Sequence, residues 1–197
     1  MFNSENYSIQ ALNLLDGLID DYNSKVNAIR RDTYYFNEIK KLRFNINNRY
    51  RKISDLAEIK NNPSENFFQI IVFNSDYMEL IISELETLNL KIKVQGQFLI
   101  VNKPDLTFNQ LMSIVDELEK SQNKFISKCT KAKLEPILRA KNAVENNFID
   151  QVISRQVSLN CQKIFEIKEE EIKKITLKKI KQILGKKFFD KYINEII

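Results

Sequence analysis

The sequence predicts an α+β protein, an antiparallel three-helix bundle with a small α/β sandwich domain inserted between helices one and two. Two observations predict it. Both ends of the chain carry apolar residues at helical spacing, and the middle carries short β-branched and aromatic runs separated by turn residues. Each predicted helix has a single apolar stripe, so the three should pack together. We expect the bundle from residues 1–30 and 106–197, and the inserted domain from residues 31–105.

The first predicted helix covers residues 8–30. Its apolar residues recur at alternating spacings of three and four, as in a coiled-coil seam. The seam consists of Leu12, Leu15, Ile19, Tyr22, Val26 and Ile29. Gly17 within this pattern lowers the stability of the helix but does not end it.

In the first part of the inserted domain, the sequence predicts a strand, a turn and a short helix. Residues 39–47 alternate in polarity and predict a strand, with a turn at Asn47 and Asn48. Residues 53–59 suit a short helix, and residues 61–66 predict a loop by their turn residues.

The second part of the inserted domain predicts a strand, a helix and a hairpin. The run 67–73 predicts a buried strand, and an amphipathic helix follows with Ser75 as its N-cap. Residues 91–101 predict a hairpin that turns at Gly96. We interpret the aromatic residues here as sheet core rather than as base-stacking platforms: Phe67, Phe68, Phe73 and Phe98.

Two more long helices are predicted after the insert. Thr107 caps the second helix, and Pro136 breaks or kinks it in its last turns. Its seam consists of Leu111, Ile114, Leu118, Phe125 and Ala132. After a turn at Asn146 and Asn147, a third helix spans roughly 148–184 and stops at Gly185. Its inward residues are Val152, Leu159, Ile164, Ile167, Ile172, Ile175, Ile180 and Ile183.

Two connections, near 30–33 and 102–106, join the insert to the bundle. Because proline cannot continue a strand interior, Pro104 marks a joint. We expect the domains to hinge about these connections. The predicted hinge residues are Arg31, Asp32, Thr33, Lys103, Pro104 and Asp105.

The composition argues against catalysis and metal binding. The chain has no histidine, and its two cysteines, Cys129 and Cys161, form no CxxC motif. We therefore expect no metal, no cofactor and no enzymatic reaction, with the thiols acting as small apolar residues in a reducing compartment. No apolar run is long enough for a transmembrane helix. The first residues resemble neither a signal nor a transit peptide.

A run of lysines on the second helix is the main candidate for binding. Residues 120–141 carry seven basic side chains and one acid, Glu135, within a chain of net charge +5. Lysines at helical spacing can follow the phosphates of a nucleic acid as point charges, independently of base sequence. The alternative is a solvated face without a partner.

Three stretches of the chain stand in a characteristic order. They are VNAIR (26–30) followed by ISDLAEI (53–59), then FFQIIVFNSD (67–76), and LNLKIKV with FLIVNKPDLT (88–107). Together they resemble the ribosome recycling factor family. In that family a three-helix bundle carries an α/β domain inserted between helices one and two. The resemblance implies a non-enzymatic, monomeric factor that binds 70S-type ribosomes at the subunit interface. Elongation factor G with GTP would then split the subunits and release mRNA and tRNA.

The resemblance also implies a site on large-subunit ribosomal RNA. The residues matching or extending the family's basic face are Arg30, Lys124, Lys128, Lys131 and Lys133. The sequence departs from the family where Asp32-Thr33 replaces Gly-Arg and where 128–133 replaces the RNxRRD signature. Lysine keeps the charge of arginine but loses its bidentate geometry.

Two alternatives to a working recycling factor stay open. One is a degenerate relative that acts as an assembly or structural component of a ribosome. The other is a helical interaction module unrelated to ribosomes. The expected compartment is the bacterial cytoplasm, or a mitochondrion or plastid after removal of a presequence.

Overall fold

The structure is a computed structural model that describes residues 4–61 and 65–196. The chain divides into two compact units. One contains the first helix and everything from Phe108 onward, and the other runs from Arg30 to Thr107.

Five helices and six strands follow one another in the described residues. In chain order they are α1 (Ser4–Ala28), α2 (Tyr34–Lys41), β1 (Arg43–Ile46), β2 (Arg49–Lys52), β3 (Ala57–Asn61), β4 (Phe67–Val72), α3 (Met78–Thr87), β5 (Ile92–Gln95), β6 (Phe98–Asn102), α4 (Phe108–Glu145) and α5 (Gln151–Ile196). Single 3₁₀ turns lie at Arg31–Thr33, Ile53–Asp55 and Ser75–Tyr77. Long helices with a small sheet unit confirm the predicted α+β class.

The inserted unit has a four-stranded antiparallel sheet in the order β3-β4-β6-β5 and a separate hairpin of β1 and β2. Alternate residues of β4 point into its core, where Phe68 is opposite Val101 and Ile70 is opposite Leu99. Side chains from α2 and α3, including Ile39, join this core. The alternation of the strands and the apolar stripes of two short helices therefore enclose one core.

The predicted strand at 39–47 is wrong in its first residues. They end α2, where Tyr35 and Ile39 are buried one helical turn apart, and only Arg43–Ile46 forms a strand. The predicted turn is confirmed, because Asn47 and Asn48 both have positive φ angles.

The predicted helix at 53–59 is also wrong beyond its first turn. Residues from Ala57 onward form β3, since Ala57 and Ile59 face the core while Glu58 and Lys60 are exposed. This period of two fits a strand and not a helix.

The buried strand near 67–73 is confirmed as β4, but its aromatic residues divide. Phe68 is buried and Phe67 is half-buried, whereas Phe73 and Phe98 are 59% and 40% exposed, so the core prediction is wrong for those two. The N-cap of the next turn is Asn74 and not Ser75. The Asn74 Oδ1 accepts a hydrogen bond from the Asp76 backbone N–H at 3.1 Å.

In the bundle unit, α1 and α5 run parallel and α4 runs antiparallel to both. Contacts between α1 and α5 advance together along both helices, from Ser8 with Asn160 to Tyr22 with Thr176. On α4, Phe125 contacts Tyr22, with ring centroids 5.0 Å apart. The three helices therefore form the up-down-up bundle that one apolar stripe per helix predicts.

The predicted seams hold on α1 and α4 better than on α5. Leu12 is exposed and Ala11 takes its place, while Leu15, Ile19, Tyr22 and Val26 are buried as predicted. On α5, the predicted inward residues Val152, Leu159 and Ile167 are exposed, and Val157, Cys161 and Phe165 are buried instead.

The helix boundaries near Pro136 and Gly185 differ from the simplest prediction. Helix α4 does not end at Pro136 but continues to Glu145, where Asn147 with a φ of 60° makes the turn. Gly185 has a φ of 68° and a ψ of 171°, so it interrupts the helical path of α5 as predicted. The chain beyond it is helical again and packs on α4, because the Tyr192 hydroxyl donates to Glu119 Oε1 at 2.6 Å.

We expect Gly185→Ala to lower the free energy of unfolding by about 1–3 kcal/mol, because its dihedral angles lie in a region open almost only to glycine. Gly17→Ala is the matched control. Gly17 lies inside α1 with open space around it, so the same substitution should stabilise by about 0.5–1 kcal/mol. Urea unfolding of both variants measures this difference, and equal effects would contradict the role of the Gly185 backbone.

We expect Tyr22→Phe to destabilise the bundle by about 0.5–1.5 kcal/mol, because it removes one buried hydrogen bond. The Thr176 hydroxyl donates to the Ile172 carbonyl, so the Tyr22 hydroxyl is the donor in the 2.5 Å hydrogen bond between the two hydroxyls. Tyr50→Phe is the control, since Tyr50 is 80% exposed and its variant should unfold at the wild-type urea concentration.

Candidate nucleic-acid interface

Four exposed lysines of α4, which we term the lysine face, lie away from its buried ridge. They are Lys120, Lys124, Lys128 and Lys131. At 3.6 residues per turn these positions fall together on one side of the helix, while Leu118, Phe125 and Cys129 point into the bundle. The face therefore offers about one positive charge per turn to solvent.

The acid in this region does not neutralise the lysine face. Glu135 is the one acid between Lys120 and Lys141 in the sequence, and it forms an ion pair with Arg139. Among the described residues, no carboxylate forms an ion pair with Lys124, Lys128 or Lys131. These charges are therefore available to an external anion.

The ammonium groups of two lysines lie near the aromatic ring of Phe125. The Lys128 Nζ lies 4.5 Å from the ring centroid, and the Lys25 Nζ from α1 lies 5.7 Å from it. A cation near the ring is attracted by its quadrupole. Lys25 thus extends the positive surface onto α1. Sequence reasoning missed it, although its position three residues after the seam residue Tyr22 places it at the edge of the buried stripe.

The structure does not bring Lys133 to the lysine face. Two residues after Lys131, it lies about 200° further around the helix. Its Nζ donates to Gln162 Oε1 at 2.6 Å and lies 4.0 Å from the centroid of the Phe165 ring on α5. Lys133 therefore joins α4 to α5.

Arg30 lies at the start of the inserted unit with its charge balanced. Its Nε donates to Asp32 Oδ1 at 3.0 Å, and its Nη2 lies 2.9 Å from Asp32 Oδ2. This fork engages both carboxylate oxygens, so binding a phosphate would require the pair to separate.

The predicted hinge residues have different surroundings. Arg31, Asp32 and Thr33 form a 3₁₀ turn, in which the Thr33 hydroxyl donates to the Arg30 carbonyl at 2.8 Å. Lys103 Nζ donates to the Glu65 carbonyl at 2.7 Å, and burial lowers the pKa of Lys103. Pro104 and Asp105 are exposed and have no regular structure.

Two lysines of α5 form ion pairs, in contrast to the lysine face. Lys168 forms ion pairs with Asp16 and Glu171, and the hydrogen bond to Asp16 raises the pKa of Lys168. Lys173 forms ion pairs with Glu169 and Glu170, which lie four and three residues before it on the same helix.

Among the described residues, no cluster of three or more acidic or cysteine side chains could hold a metal ion. Cys129 and Cys161 are fully buried, and burial raises the pKa of both thiols, which keeps them protonated. None of the described helices is long and apolar enough to cross a membrane.

Comparison with known proteins finds a similar fold but no similar sequence. No family model and no curated protein matches the chain. A solution structure of ribosome recycling factor is similar over 94% of this chain and 100% of that chain, with 20% identity and a TM-score of 0.50. A second similar structure is that of the T. thermophilus ribosome recycling factor, with the E. coli elongation factor G, bound to the E. coli post-termination complex. It shows 13% identity and a TM-score of 0.50, and covers 93% of this chain and 100% of that one. The chain therefore has the fold of ribosome recycling factor.

We expect Lys131→Gln to weaken binding to RNA severalfold and Lys133→Gln to change it little. Each variant removes one positive charge, but only Lys131 belongs to the lysine face. Because the Lys131 variant gives up one phosphate partner, the salt dependence of its binding should also fall by about one counterion. Fluorescence anisotropy with a labelled RNA duplex measures both effects, and equal weakening by the two variants would mean that binding responds to net charge alone.

Proposed function

We propose that this protein is a translation factor of the ribosome recycling type. It binds the post-termination ribosome at the subunit interface and, with elongation factor G and GTP, promotes subunit splitting and the release of mRNA and tRNA. The observation that carries the proposal is the fold shared with the full length of ribosome recycling factor, over both units of this chain. A likeness of both units and their connections is more specific than a likeness of a helical bundle.

The lysine face supplies the contact with large-subunit ribosomal RNA. Lys124, Lys128 and Lys131 are exposed and without carboxylate partners among the described residues. Their ammonium groups bind phosphates regardless of base sequence and release the counterions that surround RNA. Such binding is strong at low salt and decreases steeply as salt rises.

The inserted unit acts as the lever. It joins the bundle through two connections, at 30–33 and 102–106, and elongation factor G moves it about them. The supporting observation is the complex in which a protein of this fold and elongation factor G occupy the same post-termination complex. GTP hydrolysis belongs to the partner, so the chain itself uses no cofactor. The proposed compartment is one with 70S-type ribosomes, either the bacterial cytoplasm or an organelle.

A ribosome-bound relative without recycling activity is the second candidate. The observation that favours it is the pairing of Arg30 with Asp32, which neutralises one of the basic residues implied by the family resemblance. Such a protein would bind ribosomes through the lysine face but would not separate their subunits.

Co-sedimentation with bacterial-type 70S ribosomes over a series of salt concentrations tests the proposal. Reactions with and without elongation factor G and GTP separate binding from splitting. Salt-sensitive binding followed by dissociation into subunits is the expected result. Binding without dissociation would favour the second candidate, and absence of binding at low salt would refute both.

We expect Lys128→Glu combined with Lys131→Glu to abolish ribosome association while the fold is retained, because both side chains are exposed. The control is Lys163→Glu combined with Lys174→Glu on α5, which changes the net charge equally at two exposed lysines. Circular dichroism checks that each variant is folded. Equal loss of binding in the two double variants would remove the site from α4.

A further inference from the structure

Two ammonium groups from different helices converge on the ring of Phe125. Lys25 belongs to α1 and Lys128 to α4, and their Nζ atoms lie 5.7 Å and 4.5 Å from the same ring centroid. The two Nζ atoms are therefore at most about 10 Å apart, and like charges this close repel each other, more strongly next to a protein surface than in bulk water. Their arrangement therefore favours an anion that can contact both.

The ring that supports them is held firmly by the bundle. Phe125 is only 5% exposed and packs against Tyr22, which is fully buried. The hydrogen bond between Tyr22 and Thr176 fixes Tyr22 to α5. Because all three helices contribute, the ring holds its position, and the attraction of its face for cations restrains the two ammonium groups before any ligand arrives.

Neither helix provides these two lysines with an ion-pair partner among the described residues. Asp20 and Asp21 lie about one turn before Lys25 on α1, and α4 has no acid between Glu119 and Glu135. None of these carboxylates forms an ion pair with Lys25 or Lys128 in the part of the chain that the structure describes. Lys168 and Lys173 on α5 differ, since each of them has two carboxylate partners.

We propose that Lys25 and Lys128 form a two-helix clamp for a single phosphate group of RNA, which rests on the proposed function of the lysine face. A phosphodiester has two free oxygens, so it can accept one hydrogen bond from each ammonium group. The same strand then continues past Lys124 and Lys131, which lie one turn to either side of Lys128 on α4. We choose RNA over an acidic peptide because the exposed lysines repeat along the helix as phosphates repeat along a strand.

A double-mutant cycle with a labelled RNA duplex tests the clamp. The variants are Lys25→Gln, Lys128→Gln and the double variant, with Lys163→Gln on α5 as the control for loss of one exposed charge. Both single variants should bind several times more weakly than the control. The double variant should lose less than the product of the two losses, because both lysines hold the same phosphate.

The salt dependence gives a second readout that a structural role would not change. Removal of both lysines from one phosphate should lower the slope of log affinity against log salt by about 0.9, whereas two separate phosphates would lower it by about 1.8. Phe125→Leu keeps the charge but removes the ring, so affinity should fall and the coupling between the lysines should vanish. Urea unfolding checks that this variant is folded.

Each other outcome overturns a defined part of the proposal. If Lys25→Gln behaves like the control while Lys128→Gln weakens binding, the clamp is wrong and the lysine face remains. Independent losses with the larger change in slope would mean two phosphate contacts and no clamp. Equal affinity for polyglutamate would refute the choice of RNA. Absence of RNA binding by the wild-type chain would refute both the clamp and the proposed function.

Discussion

The bundle depends on one side chain, Tyr22, which touches both partner helices at once. Its ring packs against Phe125 of α4, and its hydroxyl donates to Thr176 of α5. Burial raises the pKa of this phenol, so it remains a donor at any physiological pH. Helix α1 is separated from the other two by the whole inserted unit, and this contact sets its rotation and height against them. The position of Lys25 beside Phe125 depends on that arrangement.

The proposed RNA-binding surface depends on where charges are balanced and not on the net charge alone. Acids on α5 and α1 compensate Lys168 and Lys173, and Asp32 compensates Arg30. The lysine face of α4 has no such partners among the described residues. The lysine face and the neighbouring Lys25 are thus a cluster of exposed ammonium groups without carboxylate partners in the described part of the chain, and such a cluster attracts a polyanion. The net positive charge is modest, but the bundle places these lysines next to one another.

Much of the fold could be predicted because long helices repeat a simple signal. The seam of α1 has unbroken spacings of three and four. On α5 the inward Cys161 is not an obvious core residue, so the apolar pattern gives the wrong phase in the first half of that helix. In its second half Ile172, Ile180 and Ile183 are buried as predicted. Short segments such as 53–59 are ambiguous because seven residues are too few to distinguish the apolar period of a helix from that of a strand. At the candidate site, the helical period alone places Lys133 on a different side of α4 from Lys131. Lys25 could not be placed, since its neighbour Phe125 comes from a different helix and the register between helices is a tertiary property.

The interruption of the bundle by the inserted unit has a consequence for the order in which the protein folds. The inserted unit draws its whole core from one continuous stretch, Arg30 to Thr107. Helix α1 instead packs against α4 and α5, which are synthesised only after that stretch is complete. Because domains fold as units and local contacts form before distant ones, the insert should fold first during synthesis. Once the insert is folded, a compact unit replaces a long flexible chain between α1 and α4. The entropic cost of bringing these helices together is then lower.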